Sequence, residues 1–163
     1  MVRETVPADW QTLRDIRLEA LHDAPAAFGS TYEREAGRGE AHWHDRIARG
    51  GTFLAYLPDL GASEPAEPAG LIGGYPEDPV TVELVSMYVR PHARGRGVGE
   101  ALVAAVIDWA AARQAKSVHL WVTETNAPAR ALYERCGFAL TGERQPLPSD
   151  PGLGEVAMSR TLP

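Results

Sequence analysis

A mixed α/β domain, one sheet covered by helices on both faces, is the fold that the sequence predicts. Three observations carry the expectation. Apolar residues recur at helical spacing as far as Arg49, the period drops to that of strands at Thr52, and strands and helices then alternate to the C-terminus. With no internal repeat and no linker long enough to divide it, 1–163 reads as a single domain.

The elements follow in order. Val2 to Val6 is short and β-prone, and Pro7 and Asp9 then signal a helix start. Trp10, Leu13, Ile16, Leu18 and Leu21 predict a helix over 9–21, broken at His22-Asp23-Ala24-Pro25. Two further helical stretches run from Pro25 to Ala36 and from Glu40 to Arg49, stopped by glycines. Strands are expected over 52–57, 70–75 and 80–89, with a polar loop over 58–69 and a turn at Pro76 to Pro79. A glycine-rich turn over 90–97 leads into a helix of 98–113. A strand over 117–123 and a short helix from Ala127 to Cys136 come next, the helix closed by Gly137. Strands over 138–143 and 155–162, around a loop at 146–152, complete the chain.

Bulk properties narrow the function. At 163 residues, with 44% hydrophobic and 23% charged, the chain can bury a core without a metal or disulfide. Its one cysteine, Cys136, cannot form an intramolecular disulfide. The net charge of -6 argues against nucleic acid as a partner. No signal core or membrane-length apolar run is present, so a cytoplasmic location away from the membrane is expected.

The most specific chemistry lies in Val89-Arg90-Pro91-His92-Ala93-Arg94-Gly95-Arg96-Gly97-Val98-Gly99. It joins a buried-type strand to a helix N-terminus. Glycines at 95, 97 and 99 allow close approach of backbone to ligand. Free amides and the helix dipole would face an anion there, and Arg94 and Arg96 add donors suited to a pyrophosphate. The Walker and dinucleotide patterns both fail on the spacing of these glycines. The competing reading is a tight turn with surface arginines.

Here the sequence resembles the GNAT superfamily of N-acetyltransferases. That family's acetyl-coenzyme A signature is Arg or Gln, two residues, Gly, one residue, then Gly or Ala, and Arg94 to Gly99 matches each fixed position. A second family element matches at Asn126-Ala127-Pro128-Ala129-Arg130-Ala131-Leu132-Tyr133-Glu134-Arg135-Cys136-Gly137-Phe138. The resemblance is good over roughly 52–162 and holds only in outline before that. It implies a mostly antiparallel sheet of six or seven strands, splayed at its central strands, with acetyl-CoA as cosubstrate. It also implies that the backbone of Met87, Tyr88 and Val89 pairs with the pantetheine arm and donates to the thioester carbonyl. Plain strand core is the alternative for those three. Asn126 would bond the coenzyme or cap its helix, and family members often pair as homodimers.

Direct transfer to an amine needs a base and an acid. An alkyl ammonium of pKa ~10.4 is about one part in a thousand neutral at physiological pH. The family's acid occupies the position of Tyr133, for which a core tyrosine is the bland alternative. Glu83 is the candidate base: it interrupts the apolar strand Thr81-Val82-Glu83-Leu84-Val85, and alternation would put it on one face with Val85 and Met87. Some family members carry a base there. Others carry it on the next strand, where this chain has Trp121, which leaves Glu124 as second candidate and an exposed edge carboxylate as the alternative to Glu83.

Other features carry less. His42-Trp43-His44 does not suit a metal, because i and i+2 residues on a helix do not face each other, and no metal is expected. Phe28, Tyr32 and Trp43 are candidate walls of an acceptor pocket, with Glu33 or Asp150 to attract an ammonium. The substrate expected from all this is a small-molecule primary amine. A protein or peptide acetyltransferase and a non-catalytic acyl-CoA-binding module remain as alternatives.

Overall fold

The computed structural model describes residues 1–58 and 66–163, so most of the loop expected over 58–69 lies outside the described residues. Seven strands form one sheet: β1 (Val2–Glu4), β2 (Thr52–Ala55), β3 (Gly70–Asp78), β4 (Thr81–Val89), β5 (Ser117–Thr123), β6 (Ala139–Leu147) and β7 (Asp150–Thr161). Their order is β1-β2-β3-β4-β5-β7-β6, and among the described residues only β4 and β5 pair in parallel. Helices α1 (Trp10–Asp23), α2 (Tyr32–Ala36) and α3 (Glu40–Ala48) precede the sheet's centre in sequence, and α4 (Val98–Ala112) and α5 (Ala127–Arg135) follow.

Two apolar layers flank the sheet. On one face Leu13, Ile16 and Leu21 of α1 and Trp43 of α3 pack on Leu54, Leu71 and Tyr88. On the other, Leu102, Val103 and Val106 of α4 and Tyr133 of α5 pack on Ile72, Leu84, Leu120 and Met158. The predicted mixed sheet with helices on both faces is the observed architecture.

Three local expectations are corrected. The helix foreseen from Pro25 to Ala36 splits into a 3-10 turn at Pro25–Ala27 and α2. Phe28 is extended, at φ -130° and ψ 145°, and Thr31 caps α2 by accepting from the Arg34 amide at 3.2 Å. Strand β3 runs through most of the turn foreseen at Pro76 to Pro79, as far as Asp78, whose carboxylate accepts from the Val80 amide at 2.8 Å and tightens the hairpin. A register shift between Pro76 and Asp78 accommodates the missing amide of Pro76. The loop foreseen at 146–152 is instead the tip of the β6–β7 hairpin.

Candidate active site

Strands β4 and β5 pair at Thr81–Ser117, Val82–Val118 and Glu83–His119, and then part. From Leu84 to Val89, β4 has only β3 beside it among the described residues. Within that stretch Leu71 faces Tyr88 while Gly73 faces Val85, so β4 holds one residue more than β3, and Ser86 takes φ 59°. This is a β-bulge beside an unpaired edge, in a conformation that non-glycine residues seldom adopt.

The bulge also resets the alternation. Glu83 and Val85 open into a cavity on the α1–α2 side, whereas Met87 joins the layer packed against α4. The common face foreseen for Glu83, Val85 and Met87 is thus corrected. Tyr88 turns to the opposite layer, its hydroxyl donating to Asp23 at 3.0 Å, and Val89 packs on the α4 side.

The turn after β4 is built for a backbone-bound ligand. Gly95 and Gly97 have φ of 72° and 79°, and a Cβ on either would meet nothing within 4 Å. Open space surrounds these main-chain groups, and among the described residues the amides of 95–97 donate to no other backbone group. Gly97 is the N-cap of α4, whose first residues Val98 and Gly99 carry the positive end of the helix dipole. Arg94 and Arg96 are exposed, and Arg94 Nε donates to the Val89 carbonyl at 3.0 Å. A Cβ on Gly99 would lie 3.0 Å from Leu132 and 3.2 Å from Met87, so the turn, the bulged strand and α5 converge at one place.

Tyr133 lies on that side of the sheet, 5% exposed, with its ring edge-on to Phe138. Burial, with a smaller contribution from Cys136, holds its phenol well above the ordinary value, so it stays protonated. Asn126 caps α5 by accepting from the Ala129 amide at 3.3 Å. Cys136 closes the same helix, and burial pushes its thiol up, away from the thiolate that nucleophilic catalysis needs.

Across the sheet, Glu83, Trp121 and Glu155 line a cavity of about 370 Å³ together with Arg17, Phe28 and Pro148. Burial raises the Glu83 carboxyl above its ordinary value; Glu77 and Glu155 raise it further, while His119 opposes them. The Thr123 hydroxyl donates to the Ala26 carbonyl and the Ser149 hydroxyl to the Phe28 carbonyl, which ties the segment between α1 and α2 over the cavity.

Of the other residues singled out in the sequence, Phe28 lines this cavity but Trp43 does not, being wholly buried in the core. Tyr32 and Glu33 are exposed, and Asp150 sits in the hairpin turn, accepting from the Gly152 amide. None of these three lines the cavity. Glu124 is ion-paired with Arg144 outside it. Sequence reasoning missed Glu155, 7% exposed and bonded to the Gln145 amide, although a glutamate opening the apolar run Val156-Ala157-Met158 was a usable signal. It also missed Arg17 as a cavity residue, although an arginine four residues from both Leu13 and Leu21 stands on the apolar face of α1 and was a usable signal.

The family model described as the acetyltransferase (GNAT) family matches residues 10–138. A mycothiol acetyltransferase of Beutenbergia cavernae is 46% identical over 61 residues, which cover 37% of this chain and 20% of that protein. The chain spans a fifth to a quarter of the first curated relatives it matches. Among solved structures, a GCN5-related N-acetyltransferase from Kribbella flavida has a TM-score of 0.77 at 25% identity, covering 99% of this chain and 97% of that one. A phosphinothricin acetyltransferase from Sinorhizobium meliloti, in complex with acetyl-CoA, has a TM-score of 0.75 at 21% identity, covering 99% and 88%. With the family model spanning α1 to the end of the second motif, and the parted strands and glycine turn as the sequence resemblance implied, the chain belongs to the acetyltransferase (GNAT) family.

Proposed function

We propose that the protein is an acetyl-CoA-dependent N-acetyltransferase that moves an acetyl group directly to the primary amine of a small molecule. The observation that carries this reading is the parting of β4 from β5 beyond Glu83, between an open amide turn and a cavity that holds a raised carboxyl.

The residues present fit the coenzyme. The open amides of 95–97, the N-terminus of α4 at Val98 and Gly99, and the Arg94 and Arg96 side chains would hold its pyrophosphate. The free edge of Met87, Tyr88 and Val89 would pair with its extended arm, with Asn126 beside it. Acetyl-coenzyme A supplies the activated acetyl thioester.

Glu83 takes the proton from the acceptor ammonium, a deficit of roughly 4 kcal/mol at neutral pH. A raised carboxyl narrows the pKa gap to the amine and is the better base for it. Main-chain amides at the bulge stabilise the developing oxyanion. Tyr133 gives its proton to the departing thiolate; the thiol's pKa lies below that of the buried phenol, but a thiolate in an apolar site is itself costly and takes up the proton. Glu83 and Tyr133 work from opposite faces of the sheet, through the opening between the strands.

A cavity of about 370 Å³ is of a size that suits a small acceptor. Release of free thiol from acetyl-CoA, measured with purified protein against amines and peptides, tests the reading. Turnover with small amines supports it. Turnover with peptides alone would shift the acceptor class, and absence of coenzyme binding would end it.

A further inference from the structure

Beside the Glu83 cavity lies a second and larger one of about 620 Å³, sharing the Arg17, Ser30, Val85 and Ser86 walls with it. Its lining is strongly cationic. Arg17, Arg34, Arg38, Arg46 and Arg49 face it, and Glu35 is the sole carboxylate there among the described residues. In a chain of net charge -6, such a concentration needs a reason.

The arginines are short of partners. Glu35 is taken by Arg17 through two bonds of 2.9 and 3.1 Å, in a pair less than 10% exposed on either side. That leaves Arg17 Nη1 buried with no hydrogen-bond partner among the described residues. Arg46 donates only to the Ser86 hydroxyl, at 2.7 Å, and no carboxylate pairs with it among the described residues. Burial first and Arg17 second push its guanidinium down to about 10. Arg38 Nη1 donates to His42 Nδ1 at 3.1 Å, and burial, with Arg38 and Arg46 nearby, lowers that imidazole toward its neutral form. Arg49 lies over the Tyr75 ring. Buried and half-buried cations that share a single carboxylate are costly, and an oxyanion from outside is the group that offsets that cost.

Ser86, which receives Arg46, is the bulge residue at φ 59°, on the strand edge where the acetyl transfer is placed by the reading above. The adjoining cavities are therefore polarised, with Glu83 and Glu155 in one, Arg34, Arg38, Arg46 and Arg49 in the other, and Arg17 shared between them. We infer that the arginine cavity is an anion subsite for the acceptor, which is an amine bearing a carboxylate or phosph(on)ate on the same molecule. The ammonium faces Glu83 and the oxyanion spans Arg17 and Arg46. The assignment rests on the acetyltransferase reading and narrows its substrate class.

Calorimetric titration with acetyl-CoA comes first, since failure there removes the acetyltransferase reading and not the anion site. Thiol release is then compared for free amino acids, their carboxamides and aminoalkylphosphonates. The subsite predicts kcat/KM about 10- to 100-fold higher for the anionic member of a matched pair. Preference for the phosphonates over the amino acids would identify the anion as tetrahedral. In Arg46→Gln, which keeps a donor for Ser86, and in Arg38→Gln, the ratio of acid to amide falls toward one. Arg17 is left unaltered, because removing it would strand Glu35. Succinate and inorganic phosphate are also titrated against the melting temperature, a readout that needs no turnover. A rise in the wild type that is reduced in Arg46→Gln supports the subsite. Equal turnover of acid and amide by protein that binds acetyl-CoA overturns it, as does a rise that Arg46→Gln keeps in full.

Discussion

Glu83 and His119 form the last bonded register between β4 and β5, and the carboxylate stands at the mouth of the opening that follows. Its position there, rather than its sequence neighbours, sets its environment: β4 is paired with β5 up to this register and not beyond it, and burial raises the carboxyl.

The pH profile reads that environment. A carboxyl raised by burial and by Glu77 and Glu155 is a base only above its raised pKa, so kcat/KM falls as pH drops through that value. The acid limb then sits above the ordinary 4.5 of a glutamate. Glu83→Gln abolishes that limb and lowers kcat/KM about 10²-fold or more at neutral pH. Glu77→Gln removes a charge that raises Glu83 and moves the limb to lower pH. Initial rates between pH 5 and 9 check both, and an unmoved limb in Glu83→Gln would make the base another group.

Tyr133→Phe preserves the ring that packs on Phe138 and removes the proton. It is expected to lower kcat about 10²-fold while acetyl-CoA binds as before. Stopped-flow thiol release alongside calorimetry separates the two effects.

Gly97→Ala tests the turn. At φ 79° a side chain costs roughly 1–2 kcal/mol, and relaxation to relieve it moves the amides that face the ligand. Affinity for acetyl-CoA should fall about tenfold, measured by calorimetry, with the amine KM little changed.

Gly51→Ala tests the fold away from the site. Gly51 has φ 76°, and a Cβ would lie 2.6 Å from the Gly74 carbonyl and 2.9 Å from the Trp109 ring. Backbone strain and overpacking together cost about 3 kcal/mol, a melting temperature lower by roughly 6–12 °C. Thermal denaturation by circular dichroism measures it.

Much of this was legible in the sequence where local pattern decides. The period change at Thr52, the glycines at 95, 97 and 99, and Asn126 with Gly137 around a short helix all encode local geometry, and the elements they predict are observed. What escaped depends on distant partners. Simple alternation carried Glu83, Val85 and Met87 onto one face, because nothing local to Ser86 announces a bulge; it is held by Arg46, 40 residues away. Trp43 looked available for a pocket wall yet fills the core under α1. Arg17 and Glu155 lie in different halves of the chain, and only the folded sheet brings them to one cavity.

The bulge at Ser86 has a wider consequence. By sending Met87 toward α4 while Val85 stays with the Glu83 cavity, it would, under the proposed function, give the donor and the acceptor separate surfaces of one strand. Residues that choose the amine can then diversify in α1, α2 and the β6–β7 hairpin with no mutation in the glycine turn. A single inherited donor cradle can in this way serve a lineage whose acceptors drift.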